Sequence, residues 1–217
     1  MEKIIALDIE TSNLCMQMES LEFSNPAKWR TSCVGVYDAH QDKEHFYVLE
    51  DDIVEVINSD DNPFRVKVKS IKRLSNDLEE WFNQGYSLLT HNGTRFDIPI
   101  LKKSIEDGGA SCEEIFNSDF KHYDMSYVLK KMTGDRYRLQ SLVKAMLGDN
   151  KSKLMEAQFA PSQWYDKNYH YVLEYCILDC KLTYEVFTES AKQGEIRATN
   201  EYRLRTVKFE DFLNYKV

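Results

Sequence analysis

The feature that most limits the fold of this chain is a short apolar run near its start that ends in two acidic residues. The run covers residues 3–10, and after Lys3 its charged members are Asp8 and Glu10. An apolar run of this length with little alternation predicts a buried central strand. Side chains two apart in a strand share a face, so both carboxylates project together at its carboxyl end. They repel unless a cation lies between them, and the plainer alternative is an acidic strand end that leads into a loop.

Length and composition predict one well-packed domain. A chain of 217 residues with 42% apolar and 29% charged residues is ordinary for such a domain. Its longest aliphatic stretch, residues 4–7, is too short to span a bilayer, and the acidic residues that follow interrupt any signal-peptide core. We therefore expect a cytoplasmic protein with no membrane partner. The five cysteines lack paired metal-ligand spacing and are expected to be reduced thiols, mostly in the core.

The order of predicted elements indicates a mixed α/β domain, because strands come early and helices alternate with them or follow. Strands are predicted at residues 3–10, 33–37, 44–49 and 86–90, and helices at 71–82, 95–106, 125–132, 139–147 and 169–192. Residues 11–30 and 50–70 are predicted to be insertions, and 148–167 to be irregular. The domain is expected to span residues 1–194, and no structure is predicted for the tail at 195–217.

Asp97 follows a predicted strand that ends near His91. One interpretation is structural: Thr94 caps the next helix, and Asp97 is its capping-box partner in the first turn. The other interpretation is functional, because Asp97 lies at the carboxyl edge of a strand, where open α/β sheets bind their ligands.

Tyr175 and Asp179 lie one turn apart on the apolar face of the last long helix. An ionised carboxylate facing the core is costly unless it is paired or bound to a metal ion, so Asp179 indicates either a salt bridge or a metal site. Tyr175 is either a core aromatic or a side chain that directs its hydroxyl into the same site.

Together these motifs resemble those of the DEDD superfamily of 3′–5′ exonucleases, which have the ribonuclease-H-like fold. The matching residues are Asp8-x-Glu10-Thr11, Asn92-x-x-x-Phe96-Asp97 and Tyr175-x-x-x-Asp179. The third motif has the tyrosine form, because Glu174 stands where the histidine subclass has its histidine. The resemblance covers residues 3–190. It implies a ribonuclease-H-like α/β fold, with a mixed central sheet flanked by helices in a single domain with insertions.

The resemblance also implies roles for single residues. Two divalent ions, Mg²⁺ or Mn²⁺, would be held by a set of four carboxylates, Asp8, Glu10, Asp97 and Asp179. Tyr175 would orient the attacking water. Thr11, Asn92 and Phe96 would hold the terminal nucleotide.

The implied substrate is single-stranded nucleic acid with a free 3′ end, cleaved to nucleoside 5′-monophosphates. DNA is favoured over RNA because the motifs are closest to those of polymerase proofreading domains. That likeness also suggests association with other replication or repair proteins.

The distribution of charge bears on how such a strand would be held. A formal net charge of −8 argues against tight coating of duplex nucleic acid. Basic stretches at 65–73 and 121–153 are either solvated faces or the surface that holds a phosphate backbone. Three other functions stay open: an exoribonuclease or oligoribonuclease, a ribonuclease-H-like endonuclease or resolvase, and a non-catalytic nucleic-acid-binding module.

Overall fold

The computed structural model describes most of the chain. The described residues are 2–13, 25, 28–59, 62–111, 116, 120–200 and 203–215. Cys15, Cys112 and part of the insertion predicted at 11–30 lie outside them. Cys33, Cys176 and Cys180 are buried free thiols, as expected.

Eight strands and eight helices are found in the described residues. The strands are β1 (Ile4–Thr11), β2 (Thr31–Asp38), β3 (Lys43–Val48), β4 (Val68–Ser70), β5 (Ser87–Thr90), β6 (His122–Asp124), β7 (Glu195–Thr199) and β8 (Leu204–Lys208). The helices are α1 (Glu50–Asn58), α2 (Ile71–Asn83), α3 (Asp97–Asp107), α4 (Met125–Thr133), α5 (Leu139–Leu147), α6 (Ala160–Tyr165), α7 (Tyr169–Gln193) and α8 (Phe209–Leu213). Short 3₁₀ turns precede β4 and α6.

The central sheet is mixed and has β1 near its middle. Its strand order is β4-β3-β2-β1-β5-β6. β1 pairs antiparallel with β2 and parallel with β5, while β5 pairs parallel with β6 and β3 parallel with β4. This arrangement confirms the predicted mixed α/β fold with a central sheet flanked by helices, and it confirms that residues 4–10 form a buried inner strand.

The two faces of the sheet separate by residue parity, as the pleat requires. Odd residues of β1, such as Ile5 and Leu7, join a core cluster that includes residues of α2 and α3. Even residues, such as Ile4 and Ala6, join the cluster that contains the buried face of α7. Asp8 therefore shares a face with Ala6 and projects on the side of the sheet that α7 covers.

Helix α7 approaches the sheet closely at β2 because Gly35 has no side chain there. A Cβ at that position would lie 3.0 Å from the sulfur of Cys176 and 3.3 Å from its carbonyl carbon. The thiol of Cys176 donates to the carbonyl oxygen of Asp8 at 3.4 Å, and that of Cys180 to the carbonyl oxygen of Gly35 at 3.3 Å. The helix is thus fixed against β1 and β2 at the level of the acidic residues.

Three segments carry more structure than the sequence predicted. The stretch at 148–167, predicted to be irregular, contains a 3₁₀ turn and α6. The segment expected to be an insertion at 50–70 contains α1 and adds β4 to the edge of the sheet. The tail at 195–217, for which no structure was predicted, contains the hairpin β7-β8 and α8. Ile196, Phe209 and Phe212 of that region are buried in the same cluster as α7. The region therefore packs on the domain.

In the described part of the chain, no helix combines the length and the apolar character that crossing a membrane requires.

Candidate active site

Three carboxylates meet where β1 ends beneath α7. Asp8, Glu10 and Asp179 each offer an oxygen, and these oxygens all lie within 4.8 Å of one another. Glu10 and Asp179 are buried, at 7% and 4% exposure, while Asp8 is partly exposed. The strand pleat places the first two on one face, and the contact of α7 with β1 brings the third to them. The structure thus joins residues that are more than 160 positions apart in sequence.

Asp97 borders this group at the start of α3 and is 4% exposed. Its charge acts on Asp8, although its oxygens are not part of the three-residue group. The capping-box alternative is wrong, because Phe96 holds the N-cap position and no described residue bonds to the buried hydroxyl of Thr94.

The fully buried Asp124 anchors the loop that precedes Asp97. One carboxylate oxygen of Asp124 accepts from the backbone N–H of Asn92, the other from that of Thr94, both at 2.8 Å. Asn92 has a left-handed backbone with φ of 74°, which asparagine tolerates better than most residues. A Cβ at Gly93 would overlap the side chain of Thr90. This anchor was not predicted, because nothing in the local sequence distinguishes Asp124 from an ordinary helix cap.

Tyr175 is fully buried, and its hydroxyl reaches the carboxylate group. Burial, followed by the charges of Asp179 and Glu10, raises the pKa of Tyr175 well above its ordinary value. The side chain is therefore a neutral phenol, able to donate and to accept hydrogen bonds at neutral pH.

Lys153 is a site residue that the motif analysis did not single out. Its ammonium forms a salt bridge with Oδ2 of Asp179 and donates to the Tyr175 hydroxyl at 2.7 Å. It also lies 4.9 Å from the centre of the Tyr175 ring. The backbone N–H of Lys153 donates to Oε1 of Gln140 at 2.9 Å, which ties the irregular segment to α5. The basic composition of residues 148–154 was the available signal.

The carboxylates cannot all be ionised without a compensating cation. Burial raises the pKa of Asp8, Glu10 and Asp179, and neighbouring carboxylates raise that of Asp8 and Glu10 further. Lys153 opposes the rise in all three. Burial, with the charges of Asp124 and Asp179, likewise raises the pKa of Asp97 to about 7. One ammonium is too little charge for four carboxylates, so protons or a further cation must neutralise the remaining charge.

The donor set fits a divalent metal ion. Asp179 forms the salt bridge that was one of the two interpretations made from the sequence. Its Oδ2 is paired with Lys153, while Oδ1 is buried and has no hydrogen-bond partner among the described residues. A buried carboxylate oxygen without a partner is costly, and a bound ion removes that cost. Asp8, Glu10 and Asp179 would hold the ion, because clustered carboxylate oxygens suit Mg²⁺ or Mn²⁺.

A cleft of about 600 Å³ opens over this group. Its lining includes all eight residues predicted for the site, namely Asp8, Glu10, Thr11, Asn92, Phe96, Asp97, Tyr175 and Asp179. Trp29 also lines it, with its ring 5.0 Å from that of Phe96 at 77°. The cleft therefore combines a carboxylate floor with an aromatic wall, which suits a phosphate and an attached base.

The basic stretch at 65–73 is largely neutralised. Lys67 pairs with Glu44 at 2.7 Å, while Lys69 and Arg73 pair with Asp77 at 2.8 and 2.7 Å. These acidic partners come from other parts of the chain or from the following helix turn. The stretch is therefore a weaker candidate for holding a phosphate backbone than its composition indicated.

One family model matches most of the chain. The family model described as the RNase H superfamily matches residues 6–190. No curated protein sequence matches the chain.

Solved structures of exonuclease I share the fold. One such structure is 13% identical in sequence, and the match covers 88% of this chain and 41% of the exonuclease I chain with a TM-score of 0.52. A product-bound exonuclease I is 13% identical, with coverages of 88% and 43% and a TM-score of 0.51. Exonuclease I of E. coli in complex with a dT13 oligonucleotide is 14% identical, with coverages of 88% and 41% and a TM-score of 0.51. The present chain spans less than half the length of these proteins.

Proposed function

Because this chain belongs to the RNase H superfamily, we propose that it is a metal-dependent 3′–5′ exonuclease that hydrolyses single-stranded DNA to nucleoside 5′-monophosphates. The observation that carries the proposal is the meeting of Asp8, Glu10 and Asp179 beside the Tyr175 hydroxyl in one open cleft. The tyrosine in this position supports membership of the tyrosine form of the DEDD class.

The reaction adds water to the phosphorus of the terminal nucleotide. The bond from that phosphorus to the 3′ oxygen of the preceding nucleotide breaks, and the oxygen leaves with a proton. The products are a nucleoside 5′-monophosphate and a strand shortened by one nucleotide. Bound Mg²⁺ or Mn²⁺ would lower the pKa of the attacking water and stabilise the charge on the leaving oxygen.

Individual residues would bind the metal ions and orient the attacking water. Asp8, Glu10 and Asp179 would hold the first ion, and Asp97 would support a second through water. The Tyr175 hydroxyl, fixed by its hydrogen bond from Lys153, would orient the attacking water.

Residues at the rim of the cleft would bind the terminal nucleotide of the substrate. Thr11 and Asn92 offer hydrogen-bonding groups there, and Phe96 offers a ring for the terminal base. We propose DNA as the substrate because the sequence motifs resemble those of proofreading domains. The E. coli relative solved with an oligodeoxynucleotide supports the same choice.

The test uses three end-labelled substrates with Mg²⁺ or Mn²⁺: linear single-stranded DNA, linear RNA and a covalently closed single-stranded DNA circle. We expect mononucleotide release from the linear DNA and no cleavage of the circle. Rapid cleavage of the circle would show an endonuclease, and faster degradation of RNA would show an exoribonuclease.

The matched variant is Asp8→Asn, because Asp8 forms no salt bridge among the described residues, whereas Asp179→Asn would also break the pair with Lys153. Activity should be lost, and thermal stability without metal should be unchanged or higher because repulsion is relieved. Wild-type turnover by Asp8→Asn would contradict the proposed metal site.

A further inference from the structure

One group of cations beside the cleft has no acidic partner among the residues that the structure describes. Arg136 and Arg138 line the cleft and are exposed, while Tyr137 between them is 2% exposed. All three residues lie in the segment between α4 and α5, where Arg138 has an extended backbone with φ of −75° and ψ of 149°. The carbonyl oxygen of Tyr137 is bound by Nε2 of His91 at 3.1 Å, which fixes the segment to the loop after β5.

The charge continues from the cleft along α4. Partial burial lowers the pKa of Lys130, and the nearby charges of Arg136, Arg95 and Lys131 lower it further. Arg95 and Lys131 both lie against the ring of Tyr127, at 5.6 and 5.4 Å from its centre. We call this set the basic ridge; it consists of Arg95, Tyr127, Lys130, Lys131, Arg136 and Arg138.

The ridge differs from the other cationic surfaces in having no neutralising acid. In the part of the chain that the structure describes, no carboxylate lies within 4.0 Å of the cationic groups of the ridge. By contrast, Lys144, Lys167 and Lys192 each pair with an acid. The neighbouring cations of the ridge repel one another, and an anionic ligand that covered them would relieve the repulsion.

We propose that the basic ridge carries the strand that extends from the carboxylate cleft, with phosphates on its arginines and lysines and a base stacked on Tyr127. This inference rests on the proposed function and adds the direction in which the strand leaves the site. The chemistry suits a single strand, because an aromatic ring between cations binds an unpaired base and its backbone together.

The experiment compares two triple variants that each remove three positive charges. The ridge variant is R95Q/K130Q/K131Q, and none of these three residues lines the cleft. The control variant is K144Q/K167Q/K192Q, whose lysine side chains are 64%, 70% and 74% exposed and ion-paired. Both are made with Asp8→Asn to prevent cleavage. Binding of a labelled oligothymidylate of about twelve nucleotides is followed by fluorescence anisotropy over a series of salt concentrations.

For the ridge variant we expect affinity to fall at least tenfold at low salt. The slope of log affinity against log salt should become shallower by about 2, since each phosphate contact on a single strand contributes about 0.7. Tyr127→Ala should weaken binding by about five- to a hundredfold through lost stacking. The control variant should change affinity by less than twofold. If the two triple variants lose affinity equally, the ridge does not carry the strand.

A second measurement separates this inference from the proposed function. With Asp8 intact, the ridge variant should hydrolyse a p-nitrophenyl ester of thymidine 5′-monophosphate within twofold of the wild-type rate, because this substrate is too short to extend beyond the cleft to Arg95, Lys130 and Lys131. Absence of all nuclease activity in the wild-type chain would overturn the proposed function. Loss of the short-substrate activity in the ridge variant alone would place the ridge in the catalytic site and overturn its assignment as a strand path.

Discussion

At the scale of single residues, a role in catalysis can be tested apart from a role in metal binding more cleanly for Tyr175 than for any carboxylate. Tyr175→Phe keeps the ring in its buried position and removes the hydroxyl that Lys153 binds. We expect the affinity for Mn²⁺ to change little and turnover to fall by about ten- to a thousandfold, equivalent to about 1.4–4 kcal/mol of barrier. Calorimetry for metal affinity and single-turnover kinetics give the two values.

Tyr171→Phe is the matched control, because it lies on the same helix with its hydroxyl 3.4 Å from the carbonyl oxygen of Leu154, outside the cleft lining. Its turnover should remain that of wild type. Loss of metal binding in Tyr175→Phe would show that the hydroxyl is a ligand and that the proposed role is wrong.

Asp97 gives the metal-free protein a specific dependence on pH. The folded protein holds a proton on Asp97 up to about pH 7, whereas the unfolded chain releases it near 3.8. The folded state therefore binds more protons between these values, and the contribution of Asp97 to stability falls as pH rises through this window. Asp97→Asn removes that contribution.

Relative to wild type, Asp97→Asn should become progressively more stable from pH 4 to 7, by at most roughly 1.4 kcal/mol per pH unit, and the difference should level off above pH 7. Urea unfolding in the presence of EDTA at several pH values measures it. Comparing the two proteins cancels the opposite effect of His91 and His122, whose pKa values burial lowers to about 4. A difference that is constant with pH would contradict the raised pKa.

The site shows which residues a sequence can reveal. Asp8 and Glu10 could be predicted because an acidic pair at the end of a buried strand conflicts with its apolar surroundings. Asp179 could be predicted because it lies on the side of a helix that faces the protein core. Lys153 could not be predicted in this way, because its sequence context is polar and does not conflict with a charge. A lysine in an irregular segment is ordinary, and its place in the site depends on how that segment folds over α5.

At the scale of elements, the contact of α7 with β2 determines whether the carboxylates meet. Gly35→Ala places a methyl group 3.0 Å from the sulfur of Cys176 and 3.3 Å from its backbone. We expect a loss of stability of about 1–3 kcal/mol from overpacking, together with reduced metal affinity because Asp179 moves away from Asp8. Urea unfolding and calorimetry measure the two effects.

The double variant Gly35→Ala/Cys176→Ala tests the cause. Removing the sulfur relieves the closest contact and leaves the backbone contacts in place, so stability should recover in part. No recovery at all would locate the strain in the helix backbone.

Several of the missed elements share a physical property: their burial is not visible in the pattern of their own residues. β4 and β6 are three residues long, too short for alternation to be visible. β8 has one buried residue, Val207, and the rest are exposed. α1 buries Val56 only and lies in an acidic stretch. Longer elements with a clear apolar face, such as α2, α5 and α7, were predicted within a few residues of their observed ends.

At the scale of the whole molecule, the C-terminal hairpin and α8 complete the core. Phe212 is fully buried, with its ring 6.3 Å from those of Phe187 and Tyr123. Phe212→Ala should lower the free energy of unfolding by about 3–5 kcal/mol. One cooperative transition is expected by both fluorescence and circular dichroism in urea, because these rings belong to the same core as α7.

Tyr215→Ala is the control in the same stretch, since Tyr215 is 37% exposed. Its effect should stay below about 1 kcal/mol. An equally small effect of Phe212→Ala would mean that residues after 194 form an independent tail.

The separation of the carboxylates along the chain has a consequence for synthesis. A ribosome adds roughly 5–20 residues per second, and Asp179 emerges long after Asp8 and Glu10. Until α7 has emerged and docked on β1, the nascent polypeptide lacks one of the three carboxylates that meet in the cleft. The group of three carboxylates can therefore form only after all the residues from β1 through the first half of α7 have been made.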